Sequence, residues 1–402
     1  MHLIESYATS CGLKIDKPYA TSKFFPLNVD KYITFHPFSK EAKNYDYWQE
    51  VVNLLIPIFL EEKIAILQIG GKDDRKVIGC GHLSGQTSIG QVTHLVENSM
   101  LHLGADSFPT HIASSFDKKI VALYSSNYLN CTKPYWGDPE KQILFEADRK
   151  GKKPSFSFNE TSKVINNIPP EKIASAVCKL LGLNFDYPYT TVYPSEIRNA
   201  RMMEAVPDFV VNISNLGVDS LIMRMDYEFN QKNLTQQLQV CPCSIVTNKT
   251  IDEKIMTSFR DNIKEIVYLI EEDNDPSFVD LIQRLNIPYM LMSYLPESIL
   301  SPIKMSYFDF NGVINSRPER TAKDFESLKD KEINKLFYKS CKTLLSKGKV
   351  FTCKQEYLNG KSVENFDEVL PVIDSKEFWG ESEYFTFLEK NNDSSKEKTK
   401  RD

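Results

Sequence analysis

The chain has 402 residues, 26% of them charged and 41% hydrophobic, with a net charge of −5. That length exceeds one ordinary core and implies two domains plus a tail, and the acidic balance argues against nucleic acid as the main partner. No apolar run nears the roughly 20 residues that cross a bilayer, and the opening MHLIESYATSCG lacks a basic stretch before an apolar one, so a cytoplasmic protein without a transmembrane segment is expected. The eight cysteines lack metal-site spacing and read as reduced and mostly buried.

Short apolar runs, each followed by a polar or glycine-containing break, predict strands at 32–36, 64–69, 100–103, 120–124 and 143–146. Between them, 46–56 places Trp48, Val51, Val52 and Leu55 on one face of a helix expected to end or kink before Pro57. A second helix, 88–98, starts on a capping serine. In MLHLGADSFPTHIASSFDKKIVALY, residues 100–124, strand, polar turn, helix and strand follow one another, with Pro109 set to open the helix. Such alternation implies a parallel sheet whose strand-end turns face a ligand, and the helix start after Asp106 suits a phosphate. Residues 169–181, PPEKIASAVCKLL, form an amphipathic helix with Ile173, Val177 and Leu180 inward, stopped by Gly182. The proline- and tyrosine-rich stretch 184–194 reads as a linker, closing a first domain at 1–183.

A second α/β domain is expected over 195–330, with strands at 209–213, 221–225, 244–246, 266–270, 289–292 and 305–310 and helices at 252–263 and 276–285. Residues 331–390 read as a charged, helical or irregular extension, with an amphipathic helix over 332–345 and a hairpin at Asn359 and Gly360. The end, 391–402, has a composition expected to be disordered.

The segment GCGHLSG, 79–85, is not a dinucleotide fingerprint, because its third glycine is misplaced and no helix opens on it. Gly70 and Gly71 follow a predicted strand, either approaching a ligand or making a plain turn. All six histidines fall in the first 111 residues, without the spacing of a metal site. His36 and His111 lie at element ends on the ligand side, where His111 either bonds a phosphate or sugar hydroxyl or acts structurally. Asp106 and Ser107 either orient a hydroxyl-bearing ligand and its phosphate or cap the helix. In EEDND, 271–275, Asp273 and Asp275 either hold Mg²⁺ or Mn²⁺ against a diphosphate or begin a helix with acidic residues.

The run DSFPTHIASSF, 106–116, resembles the D-[ST]-x-x-x-H-x-A segment of glycosyltransferase family 9, the heptosyltransferase-like enzymes that use ADP-heptose and related donors. Upstream, LSGQTSIGQVTHLVENSMLHLGADS resembles that family's passage from a G-x-[ST]-s turn through a helix to the donor turn. Downstream, KKIVALYS resembles its P-x-V-A-L-x-G strand, and ITFHPFSKEAKNYDYW, 33–48, is similar to its opening strand, phosphate loop and K-x-W segment.

The resemblance covers about residues 1–182 and implies the donor half of a GT-B fold, two Rossmann-like domains with the donor-type domain first. It implies that Asp106, Ser107 and His111 contact the diphosphate or sugar of a nucleoside diphosphate-sugar, and that Lys43 neutralises phosphate charge. It further implies inversion without a metal, the carboxylate base lying in the other domain. NLGVD, 215–219, is similar to the family's S-x-G-D loop and offers Asp219 as that base. Because the family places its acceptor domain first, residues 195–330 either replace that domain in permuted order or the domain is lost. The expected function is transfer of a sugar to a glycan or other hydroxyl acceptor; the alternative is a glycosyltransferase-derived binding or structural protein without turnover.

Overall fold

A computed structural model describes residues 1–161, 163–197, 202–213, 221–310, 313–317, 319–365 and 368–391. Of the tail expected to be disordered, 391–402, all but Asn391 lies outside the described residues, as does the NLGVD segment with Asp219. The chain forms two compact units, Met1–Thr191 and Val192–Asp402.

The first unit runs α1 (Leu3–Cys11), β1 (Tyr32–His36), α2 (Trp48–Glu62), β2 (Ala65–Gln68), β3 (Gly81–His82), α3 (Ile89–Asn98), β4 (Leu101–Ala105), α4 (Phe108–Ser115), β5 (Lys119–Tyr124), α5 (Leu129–Thr132), β6 (Gln142–Glu146) and α6 (Pro170–Leu181). All six strands pair in parallel, in the order β3-β2-β1-β4-β5-β6. One face packs Ile33, Phe35, Leu101 and Leu103 against α2 and α6. The other packs Ile120, Ala122 and Tyr124 against Val92, Leu95 and Val96 of α3 and Ala113 of α4. A sheet covered on both faces is doubly wound, and its order reverses between β1 and β4, the position outside whose carboxyl ends such sheets bind ligands.

Two sequence details fix that position. Gly104 is paired with His36, and a Cβ at Gly104 would stand 2.7 Å from the His36 carbonyl oxygen, so only glycine permits this approach of β4 to β1. Of the two expectations at Pro57, an end or a kink, the end is overturned, since α2 continues to Glu62. Proline removes one backbone bond and clashes with the carbonyl four residues back, at a cost of about 3 kcal/mol. Here both Pro57 and Asn53 face solvent, while Val51, Val52, Leu55 and Phe59 bury the opposite face and hold the helix together.

The second unit takes in β7 (Tyr189–Tyr193), β8 (Met202–Ala205), β9 (Leu221–Arg224), α7 (Gln231–Val240), β10 (Cys243–Thr247), α8 (Glu253–Ser258), β11 (Ile263–Leu269), α9 (Ser277–Arg284), β12 (Tyr289–Ser293), α10 (Glu297–Ser306), β13 (Ile314–Ser316), β14 (Leu336–Ser340), β15 (Lys342–Ser346), β16 (Lys349–Phe351), α11 (Lys354–Leu358), β17 (Leu370–Pro371), α12 (Lys376–Trp379) and β18 (Phe385–Lys390). An eight-stranded sheet has the order β13-β12-β11-β10-β9-β8-β15-β16, parallel except for the β15–β16 pair. A four-stranded sheet has the order β17-β14-β18-β7.

Several sequence expectations fail here for identifiable reasons. Part of the supposed linker, Tyr189–Tyr193, is a strand. The helix expected over 332–345 is two strands, because Leu336, Tyr338 and Ser340 alternate inward and pair antiparallel with β18. The strand expected at 305–310 is the end of α10 and a 3₁₀ turn, with Leu300 and Tyr307 buried and Ile303 packed beside them. Residues 209–213 are no strand: the N–H of Val211 donates to Gln237 Oε1 at 2.7 Å and its carbonyl accepts from Nε2 at 2.9 Å, so one side chain replaces a neighbouring strand. Gly360 follows the close of α11 rather than turning a hairpin. Of the cysteines, only Cys178, Cys243 and Cys353 are buried, and none forms a disulfide.

The second unit also encloses charge. Glu204 Oε2 lies 2.6 Å from Arg224 Nη1 and 2.8 Å from Lys342 Nζ. Arg224 forks onto Asp226 at 2.8 and 2.7 Å. Glu381 takes Lys342 Nζ, the Tyr227 hydroxyl at 3.1 Å and the Lys354 N–H at 2.7 Å. Burial alone would raise the Glu204 carboxyl, but Arg224 and Lys342 outweigh it and hold it at about 2.

Candidate functional site

The strand ends flanking the reversal carry the sequence-predicted residues of the first unit. Beyond β1 the chain makes a 3₁₀ turn, Glu41–Lys43, pinned on several sides. The N–H of Ala42 donates to the Phe158 carbonyl at 2.9 Å, its own carbonyl accepts from Ser125 Oγ at 3.0 Å, and Trp48 Nε1 donates to the Pro37 carbonyl at 2.9 Å. Lys43 is thereby aimed across the gap at Asp106, which follows β4. Its Nζ stands 2.5 Å from Asp106 Oδ2 and 3.3 Å from the Asp106 carbonyl oxygen.

Next to this pair, His36 Nδ1 and Ser107 Oγ are 2.8 Å apart, and Ser107 Oγ donates to the Ala105 carbonyl at 3.1 Å. With its one proton so used, Ser107 accepts from His36 Nδ1–H, which leaves Nε2 of that ring as an acceptor. Burial lowers His36 to about 4, so the ring is neutral at pH 7. Ser107 occupies the N-cap position of α4 but makes no side-chain cap bond, because its hydroxyl is committed elsewhere; the ordinary capping role is not the one it plays. His111, in α4, is near enough for Asp106, Lys43 and His2 to act on its ring, and burial lowers it most, against the pull of Asp106.

The structure thus brings Lys43, Asp106, Ser107 and His36 into contact, with His111 alongside. It leaves Asp273 and Asp275 in the second unit, where Asp275 accepts from the Ser277 N–H at 2.9 Å at the start of α9 and Asp273 is exposed. Among the described residues no three His, Cys, Asp or Glu groups are placed to hold a metal ion. Gly71 donates to Asp74 Oδ2 at 2.8 Å, so the Gly70–Gly71 turn is closed by its own carboxylate.

Sequence reasoning missed His102 and Tyr124. His102 sits on the same face of β4 as Gly104, fully buried, with Thr34 Oγ1 3.1 Å from its Nδ1 and no hydrogen-bond partner for Nε2 among the described residues. The Tyr124 hydroxyl is likewise buried and unpartnered, and burial and then Asp106 raise it well above its ordinary value. Burial lowers His102 to about 3. Period-two alternation along β4 and β5 was the available signal. In the turn before α3, the Ser84 and Thr87 hydroxyls are also buried without partners. Gly85 is required there, at φ +71° and with Lys72 Cα 2.6 Å from where its Cβ would be.

Residues 6–163 match the family model of glycosyltransferase family 9 (heptosyltransferase). The matched stretch contains β1 to β6 and all five residues of the cluster. Among solved structures, E. coli ADP-heptose lipopolysaccharide heptosyltransferase II is 18% identical, with a TM-score of 0.32, over 44% of this chain and 50% of that one. A family 9 glycosyltransferase from Veillonella parvula is 19% identical, with a TM-score of 0.30, over 44% and 50%. E. coli heptosyltransferase WaaC with ADP is 16% identical, with a TM-score of 0.29, over 44% and 54%. The chain therefore spans about half the length of the solved structures it matches. No curated protein matches it. No helix among the described residues is long and apolar enough to cross a membrane.

Proposed function

We propose that the first unit binds a nucleoside diphosphate-sugar and that the protein is a glycosyltransferase, moving the sugar to a glycan or other hydroxyl acceptor by one inverting displacement. One observation supports this above the others: Lys43, Asp106, Ser107 and His36 meet outside the carboxyl ends of β1 and β4, inside the stretch that matches family 9. In this reading Lys43 stabilises the charge developing on the departing diphosphate, a contribution made where charge appears in the transition state. Asp106 and His111 orient the sugar, and Ser107 with His36 holds the turn at the start of α4. The sugar-nucleotide has an ADP-heptose-like chemistry, the reaction needs no metal, and it runs in the cytoplasm. Asp219 is the proposed base, with the second unit supplying the acceptor side.

Asp106 also favours a second reading, donor binding without transfer. The carboxylate at this site is already paired with Lys43, so a base for the acceptor hydroxyl must come from elsewhere. A thermal-shift panel of ADP-, GDP-, UDP- and CMP-sugars tests both. A ligand at about 100 times its dissociation constant adds about 2.7 kcal/mol of stability. One sugar-nucleotide raising the melting temperature is the expected result, and no shift with any of them refutes the donor site. Mass spectrometry for released nucleoside phosphate, with a glycan acceptor present, then separates the enzyme from the binding protein.

A further inference from the structure

Lys43 does not wait for a phosphate as an open cation. Asp106 Oδ2 stands 2.5 Å from its Nζ, and the two side chains are only 16% and 7% exposed. Any anion that reaches Lys43 therefore also meets a carboxylate, in a setting where charge is poorly screened. The neighbouring imidazoles supply no compensating charge: burial keeps His36 neutral at pH 7 and lowers His111 as well. Lys43 and Asp106 together are neutral, so the site tolerates a limited amount of added negative charge.

Donor and product differ in that respect. A sugar ester of a nucleoside diphosphate has two negative charges. The free nucleoside diphosphate carries close to one more at pH 7, because a terminal phosphate has a second ionisation near pH 6. The ester also brings hydroxyl donors, which an acceptor-only carboxylate can take. We propose that Asp106 is a charge filter: while it accepts hydroxyls of the sugar, Lys43 faces the diphosphate, and once the sugar has left, the freed carboxylate turns back to Lys43 and repels the extra charge of the free nucleoside diphosphate, so that the leaving group is expelled. This rests on the donor reading above and adds a specificity-determining role at the same site.

Calorimetric titration of the full chain at pH 7.5 with ADP and ADP-heptose, and with the GDP/GDP-mannose and UDP/UDP-glucose pairs, provides the test. For the pair that binds, the wild type should prefer the sugar ester by about tenfold or more, the size expected from one extra charge near a part-buried carboxylate. Asp106→Asn should bind the free diphosphate about tenfold more tightly than the wild type does and the ester no better, collapsing the preference. Loss of affinity for both ligands by the same factor would show that Asp106 only positions Lys43, and would overturn the filter while sparing the donor site. Binding of no pair by the wild type overturns the donor reading and the filter together. The wild type offers a check that needs no variant: at pH 5.5 the terminal phosphate takes up its proton and the preference for the ester should shrink. A preference unchanged between pH 7.5 and 5.5 overturns the proposal.

Discussion

Both units bury charge, but they bury it differently. In the second unit, Glu204, Arg224, Asp226, Lys342 and Glu381 form a closed set in which every charge has a partner. In the first, Lys43 and Asp106 form a lone pair beside a helix start, with the unpartnered His102 Nε2 and Tyr124 hydroxyl on the same side of the sheet. Orphaned buried polar groups are expensive, and native folds keep them mainly where something else completes them. The closed set reads as architecture and the open one as a site.

The largest test of that contrast removes one member from each. Lys342→Ala leaves Glu204 with Arg224 alone and takes from Glu381 its nearest cation, and should destabilise the second unit by about 3 kcal/mol, read by urea denaturation. A loss under about 1 kcal/mol would mean the set is no more structural than the other. Acid should then separate the units. Neutral buried histidines contribute stability that is full above about pH 6.5 and is lost as pH falls toward the folded values of about 4 for His36 and 3 for His102. For His36 alone the shift corresponds to about 3 kcal/mol. Glu204, depressed to about 2, contributes stability present above its ordinary value near 4.5 and lost only below that. Hydrogen exchange followed by mass spectrometry should therefore show β1 and β4 opening between pH 6 and 4 while β8 and β9 stay protected. Simultaneous opening of both units at one pH would contradict this.

Lys43→Ala leaves the buried Asp106 carboxylate without its cation and should cost about 2 kcal/mol in stability, less than Lys342→Ala, yet weaken use of the sugar-nucleotide by about a hundredfold, as loss of a charge-assisted phosphate contact does. Wild-type kinetics in this variant would show the site to be misplaced. The smallest expected effect is none at all: the Asp275 carboxylate is engaged at the start of α9, so turnover in EDTA should match that in buffer. Activity abolished by EDTA and restored by Mg²⁺ or Mn²⁺ would return Asp273 and Asp275 to consideration.

The same contrast marks what the sequence could tell. Five of the first unit's six strands were legible because each is a short apolar run with a polar break, and because parallel pairing between helices leaves that pattern intact; β3, Gly81–His82, has no apolar run and was missed. Lys43 and Asp106, 63 positions apart, were paired as ligand contacts through family motifs; that they touch each other was not visible. In the second unit, Ile333, Leu336, Phe337 and Leu344 also fit a helical period, and only the pairing of β14 with β18 decides for strands. Glu204, Arg224, Lys342 and Glu381 stand in four separate segments, each resembling ordinary surface charge, so their convergence is purely tertiary. His102 went unnoticed because one polar residue inside an apolar strand has no motif to announce it.

The uncapped start of α4 leaves a place for an acceptor from outside the chain. Ser107 occupies the capping position while His36 and Ala105 hold its hydroxyl. A missing cap is worth about 1 kcal/mol. In the donor reading proposed above, a phosphate seated there would supply the missing acceptor, so occupancy of the site and stability of the helix start would rise together.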